Sequence, residues 1–252
     1  MKILCFTSYL GTYFNGWQRQ KKERSVQGTI ENALQKIYKK KVNILGAGRT
    51  DAGVHAENQA FHFIPPFKIE KENLKMALNS TLPWDVKINK IFEVRDSFSA
   101  RRDVQSKVYL YRLKIGNFLS PLEYLFYGSI KYELDIEKMK QALKFFEGER
   151  DFYKFTVLPH IYKDTKRKIL KTKFISRGEK IHIYIEGNGF LRYQIRRIVG
   201  TLIEIGRGKR DMNWLLSLFD RNSSEKAGPP VEAKGLVLLK VKYPKKFLYG
   251  NN

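Results

Sequence analysis

Cysteine occurs once in the 252 residues, at Cys5. A single thiol excludes an internal disulfide and a zinc site built from cysteines, and it fits a reducing compartment. Acidic side chains are scarce. Asp and Glu number 25 against 48 Lys and Arg, a formal net charge of +23. Charge of that size repels itself unless a polyanion meets it, and nucleic acid is the first candidate partner. Long apolar runs are missing as well; none approaches the ~18 residues of a membrane helix. The segment Ile3–Tyr9 is interrupted by Thr7 and Ser8 and followed by Gly11. With no small-residue cleavage site, it reads as a first strand and not as a signal peptide. These absences predict a cytoplasmic protein with no membrane contact. What is present is ample core material: 42% of the chain is hydrophobic and 13% aromatic, more than a disordered chain carries.

Several familiar chemistries are also missing. The four histidines, His55, His62, His160 and His182, lack zinc-ligand spacing. There is no Walker loop, no G-x-G-x-x-G fingerprint and no G-x-S-x-G elbow. The RNP1 pattern of an RNA-recognition motif is not found either.

Hydrophobic periodicity predicts a repeated element order. Strands are read at Lys2–Tyr9, Val42–Leu45, Ala60–Ile64 and Val86–Val94, with helices at Val26–Lys39 (N-cap Ser25) and Glu70–Leu78. That order is β-α-β-β-α-β. It recurs as a strand at Lys107–Ile115, a helix at Ile136–Phe146, strands at Lys168–Ser176 and Ile181–Glu186, helices at Gly189–Gly206 and Met212–Phe219, and a strand at Leu236–Tyr243. The expected class is therefore α+β, two ferredoxin-like halves with antiparallel or mixed sheets. The join falls near Arg101–Ser106, giving halves of 1–104 and 105–252. The first hundred residues hold 16 basic and 9 acidic side chains and the remainder 32 and 16, so the second half carries more of the anion-binding surface.

Four stretches stand out chemically. Ala47-Gly48-Arg49-Thr50-Asp51-Ala52-Gly53-Val54-His55-Ala56 joins two predicted strands. Its glycines permit positive φ or a close backbone approach. A phosphate cradle uses cations and amides; an aspartate there repels phosphate, so Asp51 suggests a chemical role. The alternative is an ordinary turn with Asp51 bonding local amides. In the predicted helix Gly189–Gly206, Leu191, Ile195, Ile198, Leu202 and Ile205 form an apolar stripe. At about 100° per residue, Arg192 and Arg196 fall on one flank of it and Arg197 on the other. Arginines bordering a buried stripe either pair with a carboxylate or phosphate or snorkel to solvent. In Lys107-Val108-Tyr109-Leu110-Tyr111, alternation puts Tyr109 and Tyr111 on one face, as core packing or as a platform for a base. Gly11-Thr12-Tyr13-Phe14-Asn15-Gly16-Trp17-Gln18-Arg19-Gln20 mixes aromatics, amides and a cation, as RNA-contacting loops do. The basic run Lys163–Lys180 is a further phosphate track or a solvated hairpin.

Gly48-Arg49-Thr50-Asp51-Ala52-Gly53-Val54-His55 resembles the signature of the tRNA pseudouridine synthase A family. Further matches follow in that family's order: Gly16-Trp17-Gln18-Arg19-Gln20, then Phe98-Ser99-Ala100-Arg101 leading to Lys107–Tyr111, then Phe190 through Arg196 to Ile198-Val199-Gly200. Gly148-Glu149-Arg150-Asp151-Phe152 and Gly235-Leu236 are weaker echoes. Arg192-Tyr193-Gln194 is more basic than the His-rich form of some members, and Arg102-Asp103 adds an ion pair. The resemblance covers nearly the whole chain. It implies isomerisation of uridine to pseudouridine at positions 38 to 40 of the tRNA anticodon stem-loop, in a homodimer with a central basic cleft, without metal or organic cofactor. It also implies Asp51 as the catalytic carboxylate, with Arg196 as its charge partner and Tyr109 stacking on the extruded uracil. Arg49 would hold backbone phosphate or keep the nucleotide flipped, and Gln18, Arg19, His55 and Arg192 complete the substrate-binding set. Two rivals remain: a non-catalytic RNA-binding or chaperone protein, and a synthase acting on another RNA.

Overall fold

The computed structural model describes residues 1–116 and 118–247. In chain order the elements are β1 (Lys2–Tyr9), α1 (Val26–Tyr38), β2 (Leu45–Gly46), β3 (His55–Phe63), α2 (Lys71–Thr81) and β4 (Val86–Val94). They are followed by β5 (Ser106–Ile115), α3 (Pro121–Tyr124), β6 (Gly128–Ile130), α4 (Ile136–Lys144), β7 (Gly148–Asp151), β8 (Lys166–Arg177), β9 (Lys180–Gly187), α5 (Gln194–Gly206), α6 (Met212–Ser217) and β10 (Leu236–Lys242). The protein is α+β. The chain groups into two compact units, Met1–Lys107 together with the chain from Val237 onward, and Val108–Leu236.

In the first unit the strand order is β4-β1-β3-β10, with β2 also on β3. β1 runs antiparallel to both β3 and β4, while β10 is parallel to β3. Being flanked on both edges, β1 reads as a near-continuous apolar run, and Ile3, Leu4, Cys5 and Phe6 are all buried. Burial pushes the Cys5 thiol well above its ordinary range, so it behaves as a core hydrophobe. Helix α1 starts where Ser25 Oγ accepts the Gly28 amide, a side-chain N-cap, and it buries Val26, Ile30, Leu34 and Tyr38. The pairing of β1 slips register between Thr7 and Tyr9 on the β3 side. Such a slip re-aims a side chain, and here the residue after it is Tyr9.

The second unit holds β5-β9-β8-β7, with β6 parallel to β5. β9 buries every second residue, Ile181, Ile183 and Ile185, as a strand with one face on a core does. Phe146, Phe152, Phe155 and Phe219 form an aromatic cluster with ring centroids 5.4–6.4 Å apart.

Three expected boundaries are corrected. The strand expected at Val42–Leu45 is only the pair Leu45–Gly46, and β3 begins at His55 and not at Ala60. The helix expected from Gly189 begins at Gln194. Tyr193 sits at φ +65°, in the left-handed region, and a helix cannot run through such a residue. Arg192 therefore lies before α5 and does not share a helical flank with Arg196.

Candidate active site

Gly46 ends β2 and His55 opens β3; the segment between them carries Asp51. Most of this segment is held by hydrogen bonds, chiefly from outside it. Lys107 Nζ donates to Ala47 O at 2.8 Å, and Gln59 Nε2 donates to Gly48 O at 3.1 Å. The Tyr9 hydroxyl and Thr50 Oγ1 are 2.8 Å apart in a buried hydrogen bond. Burial pushes the Tyr9 phenol far above its ordinary range, so it stays neutral and can donate. Trp17 N donates to Thr50 O at 3.1 Å, Gly53 N to Phe14 O at 3.3 Å and Val54 N to Asp51 O at 3.2 Å. Gly11 N donates to His55 Nδ1 at 3.0 Å. The amides of Gly53 and Val54 thus already donate within the protein, and no phosphate cradle forms from them. The side chain presented on this fixed turn is Asp51, itself half-buried.

Two glycines make the docking possible. Gly16 has φ +82°, and a Cβ there would stand 2.7 Å from Thr50 O and 3.2 Å from the Asp51 carbonyl carbon. A Cβ on Gly11 would stand 2.0 Å from Val54 O. The 11–17 loop and the Asp51 turn are therefore in backbone contact, which is the reason two stretches distant in sequence form one feature.

Arg49 is exposed but not loose. Its Nε donates to Gln18 Oε1 at 3.0 Å; Gln18 Nε2 donates to Gln27 Oε1 at 2.7 Å; Gln27 Nε2 donates to Glu31 Oε1 at 3.0 Å. Glu31 is only 5% exposed. It also accepts the Ile44 amide at 3.1 Å and pairs with Arg19 Nη1 at 2.9 Å. The sequence reading selects Gln18, Arg19 and Arg49 but misses Gln27 and Glu31, which anchor the relay. Their only signal is position, four residues apart on α1, where side chains share a face.

In the second unit, Tyr109 of β5 is 8% exposed and meets Phe190 edge-on, with centroids 5.3 Å apart and planes at 83°. Tyr111 on the same strand is fully buried and donates to Glu232 O at 3.0 Å; its role is packing. Arg196 Nε donates to Val231 O at 2.7 Å, and its guanidinium lies 4.6 Å from the Tyr193 ring centroid. Arg192 lies 5.4 Å from the same ring. The left-handed Tyr193 thus gathers the two arginines that helical spacing was expected to align. Its neighbours are pinned: the Tyr162 hydroxyl oxygen accepts the Arg192 amide at 2.9 Å, and Gln194 Oε1 accepts the Leu191 amide at 2.8 Å. Gly200 packs against Gly228–Pro229 so closely that a Cβ would stand 1.9 Å from Pro229 O. This holds the 227–231 segment, and with it Val231, on α5. Arg197, expected on the opposite flank, reaches Ala227 O at 3.5 Å, and burial lowers the pKa of its guanidinium.

The first unit therefore brings together Asp51, Arg49, Gln18, Arg19 and His55. The second brings Arg192 and Arg196 to one ring and sets Tyr109 against Phe190. His55, 4% exposed with Nδ1 on a backbone amide, is placed as a support of the turn. Among the described residues no group of three or more His, Cys, Asp or Glu is arranged to hold a metal ion, and no helix is long and apolar enough to cross a membrane.

A family model described as tRNA pseudouridine synthase matches residues 6–101 and 142–244. The first stretch contains the Asp51 turn and the loop beneath it; the second contains Phe190, Arg196 and the 227–231 segment. tRNA pseudouridine synthase A of Bacillus pumilus is 37% identical over 245 residues, covering 96% of this chain and 99% of the relative. tRNA pseudouridine synthase A 2 of Clostridium perfringens is 38% identical over 235 residues, 93% of this chain and 96% of the relative. tRNA pseudouridine synthase A of Thermodesulfovibrio yellowstonii is 37% identical over 245 residues, 93% of this chain and 96% of the relative. With the Gly48–His55 motif seated on a fixed turn and the likeness running almost end to end, the chain belongs to the tRNA pseudouridine synthase A family, isomerases that convert uridine to pseudouridine in tRNA.

Proposed function

We propose that this protein isomerises uridines at positions 38 to 40 of the tRNA anticodon stem-loop, with Asp51 as the catalytic carboxylate. The observation that carries the reading is the Asp51 turn: one carboxylate, half-buried, on a segment held by seven hydrogen bonds, five of them to its own backbone. Catalytic groups need such fixed placement, because errors of about 1 Å cost orders of magnitude in rate.

The reaction breaks the N1–C1′ glycosidic bond, turns the uracil and joins C5 to C1′. N1 gains a proton and C5 loses one, so no atom is added or removed and no redox partner takes part. Asp51 serves either as a nucleophile at the sugar or as the base of a glycal-type elimination. Tyr109 stacks on the extruded uracil and is the candidate base for the C5 proton. Arg196 balances the Asp51 charge. Arg49, oriented through Gln18, Gln27 and Glu31, contacts the RNA backbone or holds the nucleotide out of its stack, with Arg19 and Arg192 adding phosphate contacts. Extruding a stem base costs a few kcal/mol, which phosphate contacts to a +23 protein offset. The protein acts in the cytoplasm as a homodimer, the catalytic turn belonging to the half 1–104 and the tyrosine strand and arginine helix to the half 105–252.

The decisive test is tritium release from tRNA carrying 5-tritiated uridine. Asp51→Ala is expected to abolish release while tRNA affinity stays within several-fold. Retained turnover in that variant overturns the assignment. A chemical map of modified uridines in a deletion strain then locates the target: loss at 38–40 supports the anticodon reading, and loss elsewhere moves it to another site or RNA.

A further inference from the structure

The first unit exposes an aromatic pair that the reaction does not use. Trp84 is 79% exposed and Tyr13 51% exposed, and their rings meet edge-on with centroids 5.9 Å apart at 70°. Trp17 and Trp214 are 2% and 8% exposed, so Trp84 is the outlier of its kind. Single exposed apolar residues are ordinary on a surface. The way this one is held is not.

Trp84 sits in a turn closed by Val86 N on Pro83 O at 3.0 Å. The next residue, Asp85, has a side chain only 2% exposed, bound by both Arg24 amino groups at 2.7 and 2.9 Å. The Arg24 guanidinium in turn lies 4.1 Å from the centroid of Phe14, and Asp85 O accepts the Leu10 amide at 3.0 Å. A two-pronged ion pair of a buried carboxylate thus bolts the Trp84 turn to residues 10–14. That same short segment carries Tyr13 and supports the Asp51 turn, through Gly11 N on His55 and Phe14 O on Gly53 N. The aromatic pair and the catalytic carboxylate share one rigid base.

We propose that Tyr13 and Trp84 form a stacking platform for a tRNA base near the nucleotide held at Asp51; the inference rests on the reading of that turn as the catalytic one. Extruding one base from a stem leaves its neighbours without a stacking partner, and a fixed aromatic face beside the site restores one. Stacking tolerates any base, because every base has a π-face. Charge favours nucleic acid over an apolar partner. The adjoining 20–24 loop, tied to Asn15 by Asn15 N on Arg24 O at 2.8 Å and Gln20 Nε2 on Asn15 O at 3.0 Å, exposes Lys21 and Lys22 against one acid, Glu23.

The test uses the full chain, an unmodified tRNA transcript and acrylamide quenching of tryptophan fluorescence, with heparin as a polyanion that has no bases. Trp84 is expected to dominate the quenchable emission of the free protein. tRNA shields it and heparin does not. Trp84→Ala is expected to bind tRNA roughly 5- to 100-fold more weakly, the range of one lost base–aromatic stack, with heparin affinity unchanged; Trp84→Phe retains most of the tRNA affinity. If tRNA binds while Trp84 stays quenchable and Trp84→Ala keeps wild-type affinity, the platform is wrong and the Asp51 reading stands. If Trp84 is already shielded without tRNA, protein covers it and the platform is likewise wrong. Failure of the Asp51 reading shows separately, as retained tritium release from Asp51→Ala.

Discussion

Substituting Gly16 by Ala tests whether the 11–17 loop sets the position of Asp51. Two costs follow from the structure. Gly16 holds φ +82°, and an L-residue in the left-handed region costs about 1–2 kcal/mol. The new Cβ would also stand 2.7 Å from Thr50 O, where ordinary contact begins at 3.4 Å. The Thr50 carbonyl must therefore retreat by as much as 0.7 Å, and it is bonded directly to Asp51. Displacement approaching 1 Å at a reacting group costs up to about 100-fold in rate. Gly208→Ala supplies the control, since Gly208 has φ +69° with nothing within 4 Å of its Cβ position. Both variants are expected to lose stability by the left-handed penalty in urea unfolding, Gly16→Ala somewhat more because of its contact with Thr50 O. Only Gly16→Ala is expected to lose roughly 10- to 100-fold in single-turnover tritium release, at tRNA concentrations that saturate it. Wild-type turnover in a folded Gly16→Ala, or an equal loss in Gly208→Ala, refutes the reasoning.

On the proposed pairing of Arg196 with Asp51, Arg196→Ala is expected to lower turnover more than tRNA affinity, because a carboxylate deprived of its cation is costly; a loss in affinity alone refutes that pairing. Gln27→Ala breaks the relay from Glu31 to Gln18 and releases Arg49, so kcat/KM is expected to fall about tenfold with the Asp51 turn intact; unchanged kinetics would show that Arg49 needs no orientation. Burial first, then the charges of Lys2 and Arg102, lower the His62 pKa from 6.5 to about 4 against the opposing pull of Asp103. The unfolded chain then binds a proton that the folded chain refuses, so stability is complete above pH 6.5 and falls between 6.5 and 4, by about 1–3 kcal/mol. His62→Gln is expected to flatten that dependence in urea titrations; an unchanged slope assigns it elsewhere. Binding of tRNA is expected to weaken steeply with salt, and a flat salt profile in filter binding contradicts the phosphate-contact argument.

Most of the longer elements were legible in the sequence because they are local events; the short α3, β6 and β7 were not. Alternating isoleucines made β9, a serine cap and a 3–4 apolar spacing made α1, and the apolar run Ile3–Phe6 marked β1 as a strand. The lone acid among glycines marked Asp51 before any coordinates, since its charge suited no phosphate cradle. Other features waited on residues far apart in the chain. Lys107 meets Ala47 across sixty positions, and Arg24 meets Asp85 across sixty-one. Nothing in the periodicity of either stretch specifies such a partner. The start of α5 differs in part for the same reason: apolar spacing continues through Leu191, but a bond from the Arg192 amide to the distant Tyr162 hydroxyl and a local one from the Leu191 amide to the Gln194 side chain accompany a left-handed Tyr193, and a single positive φ ends what the pattern would extend. Pattern reports which face of an element is apolar; the direction in which a polar side chain is held depends on the distant backbone that meets it, and only the folded chain brings that backbone near.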